Sequence, residues 1–256
     1  MPMRVLAFLT LLLLLTGCGS TPSGLRIAGS TSVQPVAERL AEGYRRAGGS
    51  RVIVQGGGST AGVQAVLSGI AAMGAISRSL TPEESEQGLV SHTIGYDVLT
   101  VVVHPENPLA QRGLTLAELR AIFRGDVTDW IQLGGRPGPI HLVTREAGSG
   151  SREAFRSLVG PVSPRAIVQN SAGGIRAAVM GNPQAIGYVS LGVARMGGVA
   201  ALAVDGHRPG EVGYPLVRPL SLVTLGQPRG EAAAFLRYIR SPEARQVLAE
   251  EGLVPG

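Results

Sequence analysis

Apolar and polar positions alternate between two rhythms along the chain. Residues 25–30, "LRIAGS", read as a short strand ending in a turn. The following stretch places Val36, Leu40 and Tyr44 four apart, with Ala37 and Ala41 beside them. That spacing predicts an amphipathic helix, with Gly48 as its stop. "RVIVQ" reads as a second strand, followed by "GGGST" and the helical "AGVQAVLSGI", and "AAMGAIS" as a third. Strand, Gly/Ser turn, helix, repeated, predicts α/β architecture with a mostly parallel sheet. Further on, "LTLAELRAIFRGDVTDW" predicts a helix with Leu116, Leu119 and Ile122 or Phe123 on one face. The strand "IHLVTR" and the helix "REAFRSLV" follow, then a helix and strand in "SAGGIRAAVMGNPQAIGYVS". The closing helical pattern is bent or divided at Pro242.

Two longer β-type runs interrupt this rhythm, "DVLTVVVHPENP" and "RPLSLVTL". The first ends at two prolines and reads as a crossing into a second lobe; the second reads as the return. The expected map is discontinuous: residues 24–100 with 218–256 form one lobe, and residues 101–217 the other. The cleft between them is the expected site. Ahead of the lobes, Arg4 precedes an apolar run too short for a comfortable membrane span, ending in "LTGC". This reads as a lipoprotein signal peptide over residues 1–17, with Cys18 lipidated and residues 18–24 as a tether. An exported protein, lipid-anchored in the periplasm or on the outer face of the cell membrane, is expected.

Composition narrows the chemistry. At 256 residues, 44% hydrophobic and 16% charged, the chain is built to fold around one large core or two modest ones. Its net charge is +5, yet every basic residue is arginine, which excludes a Schiff-base lysine and a P-loop lysine. The arginines are scattered without interleaved aromatics, so nucleic acid is not an expected partner. Cys18 is the single cysteine, so no intramolecular disulfide forms. No metal-ligand spacing appears, no cofactor is expected, and His92, His104, His141 and His207 are scattered. The serine motifs do not fit G-x-S-x-G, so an enzyme such as a phosphoesterase is not the expected reading.

Three loops share one design, in which a strand meets a Ser/Thr/Gly turn and then a helix. They are residues 29–32 (GSTS), 56–60 (GGGST) and 148–151 (GSGS). Helix N-termini expose unpaired N–H groups and about half a positive charge, and small residues let an anion approach them. One such loop is an ordinary helix cap. Three in one chain, one beside Arg145, point to an oxyanion. Arg145 ends the strand "IHLVT", where ligands meet open α/β sheets, and its planar fork suits two oxygens of a phosphate. The alternative is an ion pair with Glu146 or Glu153.

The segments "AGSTSVQPV", "QGGGSTAGVQAV", "MGAISRSLTPEE", "LTLAELRAIFRGDVTDW", "REAGSGSREAF", "NPQAIGYVS" and "AFLRYIRSPEARQVLAEEGLVP" occur in this order. Taken together, over residues 25–255, they resemble the periplasmic phosphate-binding proteins, the substrate-binding subunits of the phosphate ABC importer. The resemblance implies the two-lobed class II periplasmic-binding-protein fold and inorganic phosphate as ligand. It also implies an ABC permease as partner, with the lipid on Cys18 holding the protein at the membrane, and a monomer. Carried over residue by residue, the ligand positions are Thr31, Ser32, Ser59, Arg145, Ser149, Gly150 and Ser151, with Ser30, Thr60, Ser77 and Arg78 as further candidates. Two positions depart from the pattern. Ala147 replaces an aspartate that holds the arginine, and Arg78 replaces an aspartate that accepts the proton of hydrogen phosphate. Arg78 is expected to contact the ligand or to pair with an acid such as Asp97. Another oxyanion (sulfate, molybdate, tungstate or arsenate) and a phosphate-sensing surface lipoprotein are the rival readings.

Overall fold

The computed structural model describes residues 24–254; the expected signal peptide and Cys18 lie outside them. β1 (Leu25–Gly29) leads into α1 (Gln34–Arg46), β2 (Val52–Gly56) into α2 (Ser59–Leu67), and β3 (Met73–Ile76) into the short α3 (Pro82–Glu86). The long β4 (Leu89–Val103) precedes α4 (Leu109–Arg112), α5 (Leu116–Arg124) and a 3-10 turn at Trp130–Leu133. β5 (His141–Arg145) runs into α6 (Gly150–Leu158), β6 (Ile167–Gln169) into α7 (Ala172–Met180), and β7 (Ala185–Ser190) into α8 (Leu191–Arg195). β8 (Ala200–Ala201), β9 (Val217–Leu225), α9 (Gly230–Ile239) and α10 (Pro242–Glu250) complete the fold. Pro242 divides the last two helices: Ser241 caps α10 and the proline occupies its first turn, where a missing N–H costs nothing.

The strands lie in the order β2-β1-β3-β9-β4-β7-β5-β6, with β8 on β4. β1 is parallel to β2 and β3, and β5 to β6 and β7. The two crossing strands are β4 and β9, paired antiparallel from Leu89↔Leu225 to Val98↔Val217. From Leu99 onward β4 leaves β9 and pairs with β7 instead. One strand therefore runs through both halves of this two-lobed fold. It begins earlier than the sequence run at Asp97, because Val90–Thr93 alternates half-buried and exposed positions instead of forming an apolar block.

Each half has its own core. Ile27, Val36, Leu40, Met73, Leu222, Phe235 and Leu248 fill one; Leu99, Leu119, Phe123, Trp130, Phe155, Ile186 and Leu216 fill the other. Each such side chain contributes roughly 1.5–3 kcal/mol on burial. Aromatic contacts fix the helices that matter below. Tyr44 of α1 stands edge-on to Phe235 of α9 at 5.3 Å. Phe155 of α6 stacks on Tyr188 of β7 at 4.0 Å and meets Phe123 of α5 at 4.5 Å. The Tyr188 hydroxyl also bonds Thr144 Oγ1 at 2.7 Å, tying the end of β5 to the same block. No described helix is long and apolar enough to cross a membrane.

Candidate functional site

β1, β2 and β5 deliver their carboxyl ends to one region, each followed by a turn rich in small residues, and β3 ends beside them at Ser77. Gly57 and Gly58 both donate N–H groups to the Gly29 carbonyl, at 2.8 and 2.9 Å, which locks the second loop against the first. Gly58, at φ 95°, occupies backbone space that side chains resist, and it opens α2. Neither Val33 before α1 nor Gly58 before α2 supplies a side-chain cap. At α6 the cap is Ser149, whose Oγ accepts from the Arg152 N–H.

The three Ser/Gly loops meet. Ser32 Oγ and Ser151 Oγ are 2.9 Å apart across the two halves. Ser59 Oγ accepts from the Ser77 N–H at 3.1 Å, and Ser30 Oγ donates to Ser77 Oγ at 3.0 Å. The Thr60 N–H donates to the Gly148 carbonyl at 3.1 Å. Gly150 sits so close that a Cβ there would fall 2.2 Å from Ser59 Oγ and 2.7 Å from Ser77 Oγ. Ser30, Ser32, Ser59, Ser77, Ser149, Gly150 and Ser151 are all buried, so polar donors are concentrated where an apolar core would otherwise be expected. Thr31 and Thr60 are half-buried, and Thr31 Oγ1 accepts from the Ala172 N–H at the start of α7.

Three arginines surround this cluster, in different situations. Arg145 is 2% exposed and gives Nε and Nη2 to the two carboxylate oxygens of Glu146, at 2.7 and 2.8 Å. Its carbonyl accepts from Arg152 Nη1. Glu146 thus holds the arginine on the same loop where Ala147 is exposed. Arg78 meets Glu84 with two nitrogens at 2.7 Å and also pairs with Glu153; Asp97 is not its partner. The hydrogen bond to Glu84 raises the Arg78 guanidinium above its ordinary pKa and in return lowers the Glu84 carboxyl.

Asp97 is taken by Arg218, a residue that no local motif of the sequence marks. The two residues face each other directly in the β4–β9 ladder, and Nε and Nη2 of Arg218 bond Asp97 Oδ2 at 3.0 and 2.8 Å. Arg218 Nη1 reaches on to Ser151 Oγ at 2.7 Å, while Asp97 Oδ1 accepts from the Leu191 N–H. Burial pushes the Asp97 carboxyl up, against the opposing pull of Arg218. The pair leaves a trace in the sequence: one acid and one arginine stand at the matching ends of the two apolar β runs. Because Ser151 Oγ accepts from Arg218, the Ser151 proton is directed elsewhere, to Ser32 Oγ or to a ligand.

Such an arrangement can hold an anion, and among the described residues no histidine is hydrogen-bonded to one of its serines. His92 bonds Thr224, His104 the Glu106 N–H, and His141 Asn182, away from the serines. Among the described residues no group of His, Cys, Asp and Glu is placed to hold a metal.

Comparison with known proteins agrees with this geometry. The model of the PBP superfamily domain matches residues 16–243. The phosphate-binding protein PstS of Bacillus subtilis (strain 168) is 29% identical over 90% of this chain and 80% of its own. A phosphate ABC transporter substrate-binding protein from Clostridium perfringens, solved with bound phosphate, is 32% identical, with a TM-score of 0.86 over 91% of this chain and 99% of that one. An ABC-type phosphate transport receptor from Vibrio cholerae is 33% identical, with a TM-score of 0.73 over 91% of this chain and 100% of that one. The chain belongs to the PBP superfamily and, within it, to the phosphate-binding substrate-binding proteins of ABC importers, a family of binding proteins and not of enzymes.

Proposed function

We propose that this protein captures inorganic phosphate in the cleft between its lobes and delivers it to the permease of an ABC importer. The observation that carries this reading is the meeting of three Ser/Gly helix N-termini, from both lobes, around Gly150, Ser59 and Ser77. A buried divalent anion is tolerated only when nearly all its oxygens are hydrogen-bonded. The donors assigned to it are Thr31, Ser32, Ser59, Ser149, Gly150 and Ser151, with Ser30, Thr60 and Ser77 behind them. Arg145 contributes through Nη1 and the second N–H of Nη2, since Nε and the other N–H of Nη2 are committed to Glu146. Arg78 is already neutralised by two carboxylates and belongs to the rim of the site.

The lobes are residues 24–100 with 218–256, and residues 101–217. Each supplies part of the cradle, so ligand favours the closed arrangement. We assign the protein to the periplasm or the outer face of the cell membrane, as a monomer held by a lipid on Cys18. Expression of Cys18→Ala should move it from the membrane fraction to the soluble one.

Calorimetry with phosphate, sulfate, molybdate and arsenate tests the ligand. Phosphate should bind one to one and raise the melting temperature through linkage. A second oxyanion has one observation in its favour, the arginine at position 78 where the resemblance places an acid. Tighter binding of sulfate than phosphate would establish that rival, and no heat with any of the four would end the oxyanion reading.

A further inference from the structure

Arg78 is more fully committed than a ligand-binding arginine has reason to be. Its Nη1 donates to the Ser79 carbonyl at 2.9 Å and to Glu84 Oε2 at 2.7 Å, and its Nη2 to Glu84 Oε1 at 2.7 Å. Glu84 is itself fixed, because it completes the capping box of α3 by accepting from the Thr81 N–H at 3.0 Å. All of these partners lie in one short segment after β3. The guanidinium is therefore held rigidly by its own lobe, with the Nε edge left over.

That edge meets Glu153 of α6, in an ion pair that is not an aligned hydrogen bond. Glu153 lies in the first turn of the helix that begins with Gly150 and Ser151. Within one helical turn the backbone is stiff, so Glu153 and the Gly150–Ser151 donors move as a unit. The pair sits in a groove between the lobes. Ser79 and Thr81 form one wall, Ala154 and Leu158 the other, and Val217 and Pro219 of β9 close it. Arg78 is 9% exposed and Glu153 39%, so the contact is shielded on one side and open to salt on the other.

We propose that Arg78 and Glu153 form an ionic latch that holds the lobes shut over the bound oxyanion, with Glu84 presetting the arginine. They are positioning residues: the latch touches no ligand and acts by slowing reopening. The inference rests on the oxyanion-binding reading above, and its sign separates it from plain electrostatics. Glu153 is a negative charge one turn from the anion site. If proximity were all it contributed, removing the charge would tighten phosphate. A latch requires the opposite.

The test is stopped-flow release of phosphate from the purified wild-type and Glu153→Gln proteins between about 20 and 500 mM salt, spanning strong to weak screening. Interlobe distances from spin labels, one on each lobe, are recorded with and without phosphate. At low salt Glu153→Gln should release phosphate about two- to fivefold faster, the range of a partly exposed ion pair. The gap should close at high salt, and Glu153→Asp should restore part of it. Equal or slower release from Glu153→Gln, or a gap unchanged by salt, overturns the latch while leaving phosphate binding intact. A wild-type protein that binds no phosphate overturns the functional reading. The latch is then judged by the ligand-free distance distributions, and identical ones for the two proteins overturn it as well.

Discussion

Gly150→Ala is a small change with a consequence that can be worked out from the structure. The added methyl would lie 2.2 Å from Ser59 Oγ, where ordinary contact begins near 3.4 Å, so about 1.2 Å must be found. Ser59 cannot turn away freely. It is fully buried, its Oγ accepts from the Ser77 N–H, and Ser77 Oγ is the next atom in the way at 2.7 Å. Overpacking of this kind costs about 1–3 kcal/mol. Here the clash is between residues of opposite lobes, so the cost falls on the closed state. We expect phosphate affinity to drop roughly 5- to 150-fold. The ligand-free melting temperature should barely change, since alanine is a better helix former than glycine. Isothermal titration with phosphate, paired with thermal melts, measures both. Gly181→Ala is the control, because its methyl would meet only ordinary contact at 3.4 Å. A Gly150→Ala protein binding within twofold of wild type would refute the claim that the lobes close on this residue.

Other outcomes follow from the charged groups. Asp97→Ala strands a buried Arg218 and should cost about 3–5 kcal/mol in chemical denaturation, with Asp97→Ala/Arg218→Met recovering much of it. A single mutant losing less than about 1 kcal/mol would show that Asp97 does not compensate the buried charge of Arg218. Glu146→Gln should weaken phosphate binding by loosening Arg145, without a comparable loss of stability; unchanged affinity would mean that Arg145 needs no such support. Glu84 is held below its ordinary pKa chiefly by Arg78, so the folded protein binds fewer protons there than the unfolded chain. Its stabilisation is complete above the ordinary value of 4.5 and lost as pH falls through the depressed one. Melting temperature below that pH should therefore fall more steeply for wild type than for Glu84→Gln, and parallel curves would contradict the assignment.

Much of the fold was legible because it rests on local rules. The helix face of Val36, Leu40 and Tyr44, the strand–turn–helix repeats and the break at Pro242 depend on periodicity and backbone chemistry within a few residues. The three loops were legible for the same reason, since Gly and Ser at a strand-to-helix junction carry their meaning locally. Side-chain pairing across the sheet was not. Arg218 meets Asp97 only because β9 and β4, over a hundred residues apart in sequence, share a register. Arg78 turned to Glu84 and Glu153 because the α3 capping box and the first turn of α6 place carboxylates there, which no spacing rule announces. Glu146 replaces the absent acid at Ala147 from the neighbouring position, visible only once Arg145 has a direction.

The central claim is that an oxyanion is gripped between the lobes by the N-termini of α1, α2 and α6. A crystal structure of the protein grown with phosphate tests it most directly. We expect one tetrahedral ion with oxygens within hydrogen-bond reach of Ser32, Ser59 and Ser151, and of the Gly150 N–H and Arg145 Nη1. Phosphate bound elsewhere, or held by donors of one lobe alone, would contradict the account.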